Sequence, residues 1–123
     1  MRIIVNHSSM VPIYEQVVEQ IKTMIVQGEL KADDALPSVR TLSKELKISA
    51  LTVKKAYDFL EEEGLTITIH GKGTYVAATN NARLVEEQRK ELEEEFEKSI
   101  QKGKRYGMSS DEIREIFELM LEG

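Results

Sequence analysis

The chain has 123 residues, 41% of them hydrophobic and 32% charged, with a net charge of −5, enough for one compact domain and an appendage. It has no cysteine, which excludes a disulfide framework and a thiolate metal site, and its two histidines, His7 and His70, argue against a metal centre or a histidine-based triad. No apolar run approaches the roughly 20 residues of a membrane span, and the opening MRIIVNHSSM is too short in apolar residues for a signal peptide, so a cytoplasmic protein is expected.

In chain order, Pro12 suits the first position of a helix. Behind it, PIYEQVVEQIKTMIVQGEL sets Ile13, Val17, Ile21 and Ile25 four residues apart, with Tyr14, Val18 and Met24 widening the stripe. Gly28 ends this helix, and KADDALP is expected as a turn-rich loop bounded by Pro37. Ser38 can cap a short second helix, VRTLSKELK, whose buried face is Leu42 and Leu46. Ser49 caps a third, in which Val53, Ala56, Tyr57 and Leu60 fall at i, i+3, i+4 and i+7 and Gly64 forms the C-terminal cap.

The period then changes from 3.6 to 2. LTITI alternates Leu65, Ile67 and Ile69 with Thr66 and Thr68, the pattern of a half-buried strand with its apolar residues inward. TYVAA is a second β-prone run, and the HGKG between them has glycines that tolerate the positive φ of a hairpin turn. A glycine-flanked lysine also suggests a phosphate cradle. A P-loop, however, needs a longer glycine loop and a lysine followed by Ser/Thr opening a helix, whereas TYV favours a strand. Lys72 is therefore read as the tip of a wing. Three helices followed by a two-stranded hairpin is the order of a winged helix–turn–helix domain.

NNARLVEEQ opens a linker and a fourth helix, with Asn80 or Asn81 as its cap. Val85, Leu92, Phe96 and Ile100 mark a narrow stripe on a charged rod, and KGKRYG is expected to break it. In MSSDEIREIFELMLEG, Ser109 or Ser110 caps a last helix with Asp111 and Glu112 in its first turn. Its apolar face is Ile113, Ile116, Phe117 and Met120, broadened by Leu119 and Leu121.

The net charge argues at first against a nucleic-acid partner, but it is unevenly placed. Residues 38–60 carry five bases (Arg40, Lys44, Lys47, Lys54, Lys55) against two acids, whereas residues 86–97 carry seven glutamates against two bases. Affinity for a polyanion depends on the local patch. In a helix–turn–helix the second of the paired helices enters the major groove and the first crosses the backbone. With its apolar stripe inward, the third helix leaves Ala50, Leu51, Lys54, Lys55 and Asp58 on other faces. Exposed lysines alone are ordinarily solvated surface; Arg40, two serine caps and a wing lysine beside them give the pattern its meaning.

The elements PIYEQV, LPSVRTLSKELKIS, LTVKKAY, FLEEEGL and GKGTYV, in this order over residues 12–76, resemble the DNA-binding domain of the GntR family of bacterial transcription regulators. Because only residues 79–123 follow the wing, the chain resembles the short YtrA-like subfamily, in which two helices serve mainly to dimerise, rather than members with a large effector domain. The resemblance implies DNA contacts at Arg40, Ser49, Thr52 and Lys54, and at Gly71, Lys72 and Gly73 on the wing. The candidate interface also takes in Ser38, Ala50, Leu51, Lys55 and His70. Two positions depart from the family pattern: Ala50 stands where arginine is common, and Ala32-Asp33 where Pro-Gly is usual.

The expectation is thus a mainly α chain with a small β-hairpin: a winged helix–turn–helix DNA-binding domain over 1–78 and a helical dimerisation appendage over 79–123. Its expected function is that of a sequence-specific regulator, a repressor that binds a two-fold double-stranded operator as a homodimer. Arg40 is either a phosphate clamp or a reader of a guanine edge. Leu92, Phe96, Ile113, Ile116, Phe117 and Met120 are the candidate dimerisation residues; the last helix can pack on the fourth, on a second subunit or on both, and a ligand groove is the alternative. A winged-helix scaffold that binds no DNA is the rival reading. An enzyme is disfavoured, since no histidine or carboxylate pair sits in a recognisable catalytic context. No cofactor motif is present, and a small-molecule effector stays open.

Overall fold

Among the described residues of the computed structural model, 1–78 and 82–123, five helices and one hairpin follow in chain order. They are α1 (Ile13–Val26), α2 (Val39–Leu46), α3 (Ala50–Glu62), β1 (Thr66–Ile69), β2 (Gly73–Val76), α4 (Ala82–Arg105) and α5 (Ser110–Glu122). Two units result, Met1–Asn81 and Ala82–Gly123. Among the described residues no helix is long and apolar enough to cross a membrane.

The first unit is a three-helix core closed by the hairpin. Val17, Val18, Ile21, Met24 and Ile25 of α1 are buried with Leu42 of α2 and with Val53, Ala56, Tyr57 and Leu60 of α3, as the 3.6-residue period demands. Pro12 lies one residue before α1, its carbonyl accepting from the Gln16 amide at 3.1 Å. Ser38 and Ser49 each accept a backbone N–H three residues on, at 3.0 Å, and so cap α2 and α3. Between these helices Lys47 takes the left-handed conformation at φ 55° that ends α2 and turns the chain into α3.

Ahead of α1 the first residues of the chain are stitched to it by two glutamine side chains. The Gln20 amide accepts from Ile4 N–H at 2.9 Å and donates to Ile4 C=O at 2.7 Å. Gln16 does the same for Asn6, at 2.9 and 3.0 Å. Ile3, in this arm, is buried.

The hairpin corrects one expectation. β1 and β2 pair antiparallel with Thr66 opposite Val76 and Ile67 opposite Tyr75. Thr66 is only 2% exposed and shares the inner face with Val76, while Ile67 and Ile69 are 51% and 45% exposed. Ile67 and Ile69 thus face out and Thr66 faces in. The register sets this, since side chains alternate strictly along a strand and Val76 is committed to the core. KADDALP is also more than a loop. Asp33 N–H donates to Val76 C=O, Val76 N–H to Asp34 C=O, and Leu36 N–H to Thr74 C=O, at 2.8–2.9 Å. Residues 33–36 thus line the second edge of β2, and Pro37, which has no N–H to give, ends the pairing.

In the second unit KGKRYG ends the fourth helix, as expected. α4 continues through Gly103 to Arg105, and the turn comes at Gly107, at φ +84°, where Met108 N–H donates back to Gly103 C=O at 3.0 Å. Within the helix Gly103 makes room for Ile113: a Cβ there would lie 3.0 Å from Ile113 Cδ1. Ser109, not Ser110, caps α5, in a reciprocal box with Glu112. The α4 cap expected at Asn80 or Asn81 lies outside the described residues, and Leu84 rather than Val85 is buried in the first turn of α4.

Candidate nucleic-acid interface

The helix pair places its candidate residues by capping and by the direction of the buried stripe. Because Val53, Ala56, Tyr57 and Leu60 point inward, Leu51, Lys55 and Asp58 lie on the opposite side of α3; Leu51 is 79% exposed. Ala50 is exposed at the start of the helix. Ser49 and Thr52 are joined hydroxyl to hydroxyl at 2.7 Å, so both hydroxyls belong to the N-terminal cap of α3. Ser38 repeats the arrangement at α2, donating to Thr41 Oγ1 at 2.8 Å.

The orientation of α3 is anchored from below. The Tyr57 hydroxyl donates to the Pro37 carbonyl at 2.8 Å, tying the middle of α3 to the entry of α2. Burial, and after it the charge of Glu45, push this phenol well above its ordinary pKa, so it stays protonated and keeps donating.

The cations differ in their surroundings. Arg40, exposed in the first turn of α2, and Lys72, at the hairpin tip, have no ion-pair partner among the described residues. Lys54 is bonded to Asp58 on its own helix at 2.8 Å, and that hydrogen bond and charge hold its pKa above the ordinary value. Lys55 crosses to α1, its Nζ 4.0 Å from the centroid of the Tyr14 ring. Beyond Asp58 the helix turns acidic, with Glu61, Glu62 and Glu63, so the N-terminal half of α3 suits a polyanion and the C-terminal half does not.

At the hairpin tip, Lys72 N–H closes a turn onto Ile69 C=O at 2.9 Å. Gly71, at φ +79°, supplies the left-handed residue this turn requires, and Gly73 follows at φ +135°. His70, Gly71, Lys72 and Gly73 are all exposed. Arg40, the first turn of α3 and the hairpin tip all belong to the first unit, on three separate elements. The aromatic partner of Lys55 escaped the sequence reading, which placed Tyr14 only in the core stripe.

The second unit brings together most of the other candidate set. Phe96 and Phe117 meet edge to face, ring centroids 5.6 Å apart. Ile113 is buried in the α4–α5 seam against Gly103 and is not presented outward. Leu92, Phe96, Ile116 and Met120, with Leu119 and Leu121, remain substantially exposed. An open groove of about 430 Å³ runs between Ile100, Lys104, Ile113, Arg114, Phe117 and Leu121.

Residues 13–76 match the family model described as bacterial regulatory proteins, gntR family. Over 111 residues the chain is 34% identical to the HTH-type transcriptional repressor YtrA of Bacillus subtilis (strain 168), covering 90% of this chain and 85% of that protein. A transcriptional regulator from Oenococcus oeni has the same fold with a TM-score of 0.78, at 32% identity, over 95% of this chain and 97% of its own. The structure of AraR(DBD) in complex with operator ORX1 matches with a TM-score of 0.56 at 31% identity, over 63% of this chain and 96% of that one.

Proposed function

Because the chain belongs to the gntR family of bacterial regulatory proteins, we propose that it is a cytoplasmic transcription repressor that binds a two-fold DNA operator as a homodimer. The observation that carries the proposal is the likeness of the winged-helix unit to a domain seen on its operator. The distribution of cations in that unit agrees with it. In this reading α3 enters the major groove, α2 crosses the backbone and the hairpin tip reaches a flanking phosphate. Arg40 and Lys72 supply charge, Ser38 and the capped first turn of α3 set the register, and Ala50, Leu51 and Thr52 face base edges.

The dimer rests on the second unit. Leu92, Phe96, Ile116 and Met120 form an apolar surface that one copy leaves open, and a second copy covers it. Two linked reading heads then address two half-sites. Fluorescence anisotropy with genomic fragments selected by the protein tests the whole reading. Binding should fall steeply with salt and resolve a palindromic site. Truncation after Ala78 should leave a folded, largely monomeric domain with much weaker operator affinity. A full chain that binds no duplex at low salt would return the winged-helix scaffold as the better reading, and a truncated domain that still sediments as a dimer would move the interface out of the second unit.

A further inference from the structure

Two aromatic–cation contacts join α1 to α3, and they differ in how the charge is balanced. In one, Lys22 of α1 lies 5.4 Å from the Phe59 ring centroid and is also paired with Glu63 at 3.3 Å. That lysine is neutralised within the protein, and its role is to hold the seam. In the other the partners are exchanged: the ring is Tyr14 of α1 and the cation is Lys55 of α3, at 4.0 Å. Lys55 has no carboxylate partner among the described residues. The remaining lysine of α3, Lys54, is neutralised by Asp58. Lys55 is therefore the one cation of this helix that is held in place without being neutralised.

A ring face attracts an ammonium through its quadrupole and leaves the positive charge, and its capacity to donate outward, intact. Fixing a lysine also removes in advance the rotamer freedom it would lose on contacting a phosphate. We propose that Tyr14 is a positioning residue of the DNA interface, which aims the Lys55 ammonium at a backbone phosphate. This rests on the DNA-binding reading above and assigns within it a role to a residue of α1.

The test is a set of variants of the full chain measured on one operator duplex across a salt series. Lys55→Ala should lower the salt slope by about one. Tyr14→Leu should weaken binding about two- to fivefold with the slope unchanged, because the charge is still present. Tyr14→Phe, which keeps the ring, should bind like the unmodified protein. In a Lys55→Ala background Tyr14→Leu should have no further effect. In the free, unmodified protein the ε-methylene protons of Lys55 should show an upfield ring-current shift, a readout that needs no variant to fold. An absent shift, equal losses in Tyr14→Leu and Tyr14→Phe, or the same loss from Tyr14→Leu with Lys55 removed would overturn the positioning role. An unchanged salt slope in Lys55→Ala would overturn the phosphate contact itself. Failure of the unmodified chain to bind would instead refute the DNA-binding reading, so the outcomes are separable.

Discussion

Replacing Thr66 with valine should make the protein more stable. The Thr66 side chain is 2% exposed, and its Oγ1 has no hydrogen-bond partner among the described residues. Two positions along the same face, Thr68 sits nearer solvent and shares a 3.1 Å contact with the hydroxyl of Thr74, so only Thr66 combines burial with an orphaned hydroxyl. Burying such a group without a partner costs about 1–3 kcal/mol in proteins. Valine has nearly the same shape and is at least as good a strand former, so the substitution removes that penalty while leaving the pairing with Val76 in place. A gain of about 1–2 kcal/mol is expected, and a unit of this size shifts its melting point by about 4–8 °C for each kcal/mol. Urea unfolding followed through the resonances of Tyr57 and Tyr75, both in the first unit, measures the gain, provided the denaturant slope is unchanged. Operator affinity should not move, because the hydroxyl is inside. If Thr66→Val is less stable than the parent, the hydroxyl is satisfied in solution and the reasoning fails.

Other substitutions probe the interface and the second unit. Lys72→Ala should weaken binding to operator and random duplex alike and lower the salt slope by about one, read by anisotropy across a salt series; a loss confined to the operator would make Lys72 a base reader. Ala50 offers only a methyl group to the major groove, so the facing base pair is expected to present the thymine methyl, and Ala50→Arg should shift preference to guanine by about 1–3 kcal/mol while raising affinity for random DNA. Selection on a randomised half-site decides this: a strong guanine requirement in the unmodified protein would refute it. Gly103→Ala should destabilise the second unit by about 1–2 kcal/mol, because a Cβ 3.0 Å from Ile113 outweighs the gain in helix propensity. Thermal unfolding followed through Tyr106 would show the opposite sign if the seam had room.

The helices were legible because burial imposes a period that single residues cannot disguise. Val53, Ala56, Tyr57 and Leu60 all proved buried, and Ser38 and Ser49 both proved to be caps, since each signal is local. LTITI misled because alternation reveals a strand but not which face is inward. That choice is made by the partner, here Val76, and by residues 33–36 on the far edge of β2. Within KGKRYG a related choice is hidden: Gly107, which turns the chain, and Gly103, which admits a neighbour, look alike until Ile113 is placed. In the candidate interface the residue types were readable, but their pairings were not. Lys54 and Lys55 are adjacent and chemically identical, and only the fold shows that one faces Asp58 and the other Tyr14.

The glutamine stitches of the N-terminal arm bring together two rulers of different graduation. Along α1 the step from Gln16 to Gln20 is four residues, an advance of about 6.0 Å. Along the arm the step from Asn6 to Ile4 is two residues, about 6.8 Å when extended. The difference, less than about 1 Å over one interval, is small enough for both amides to keep bonds of 2.7–3.0 Å. Each further interval would add the same error, so a helix can imitate the edge of a sheet for two rungs but not for many. The sequence keeps to that limit: the next position along α1 at the same spacing is Met24, buried in the core, and the one before Gln16 is Pro12.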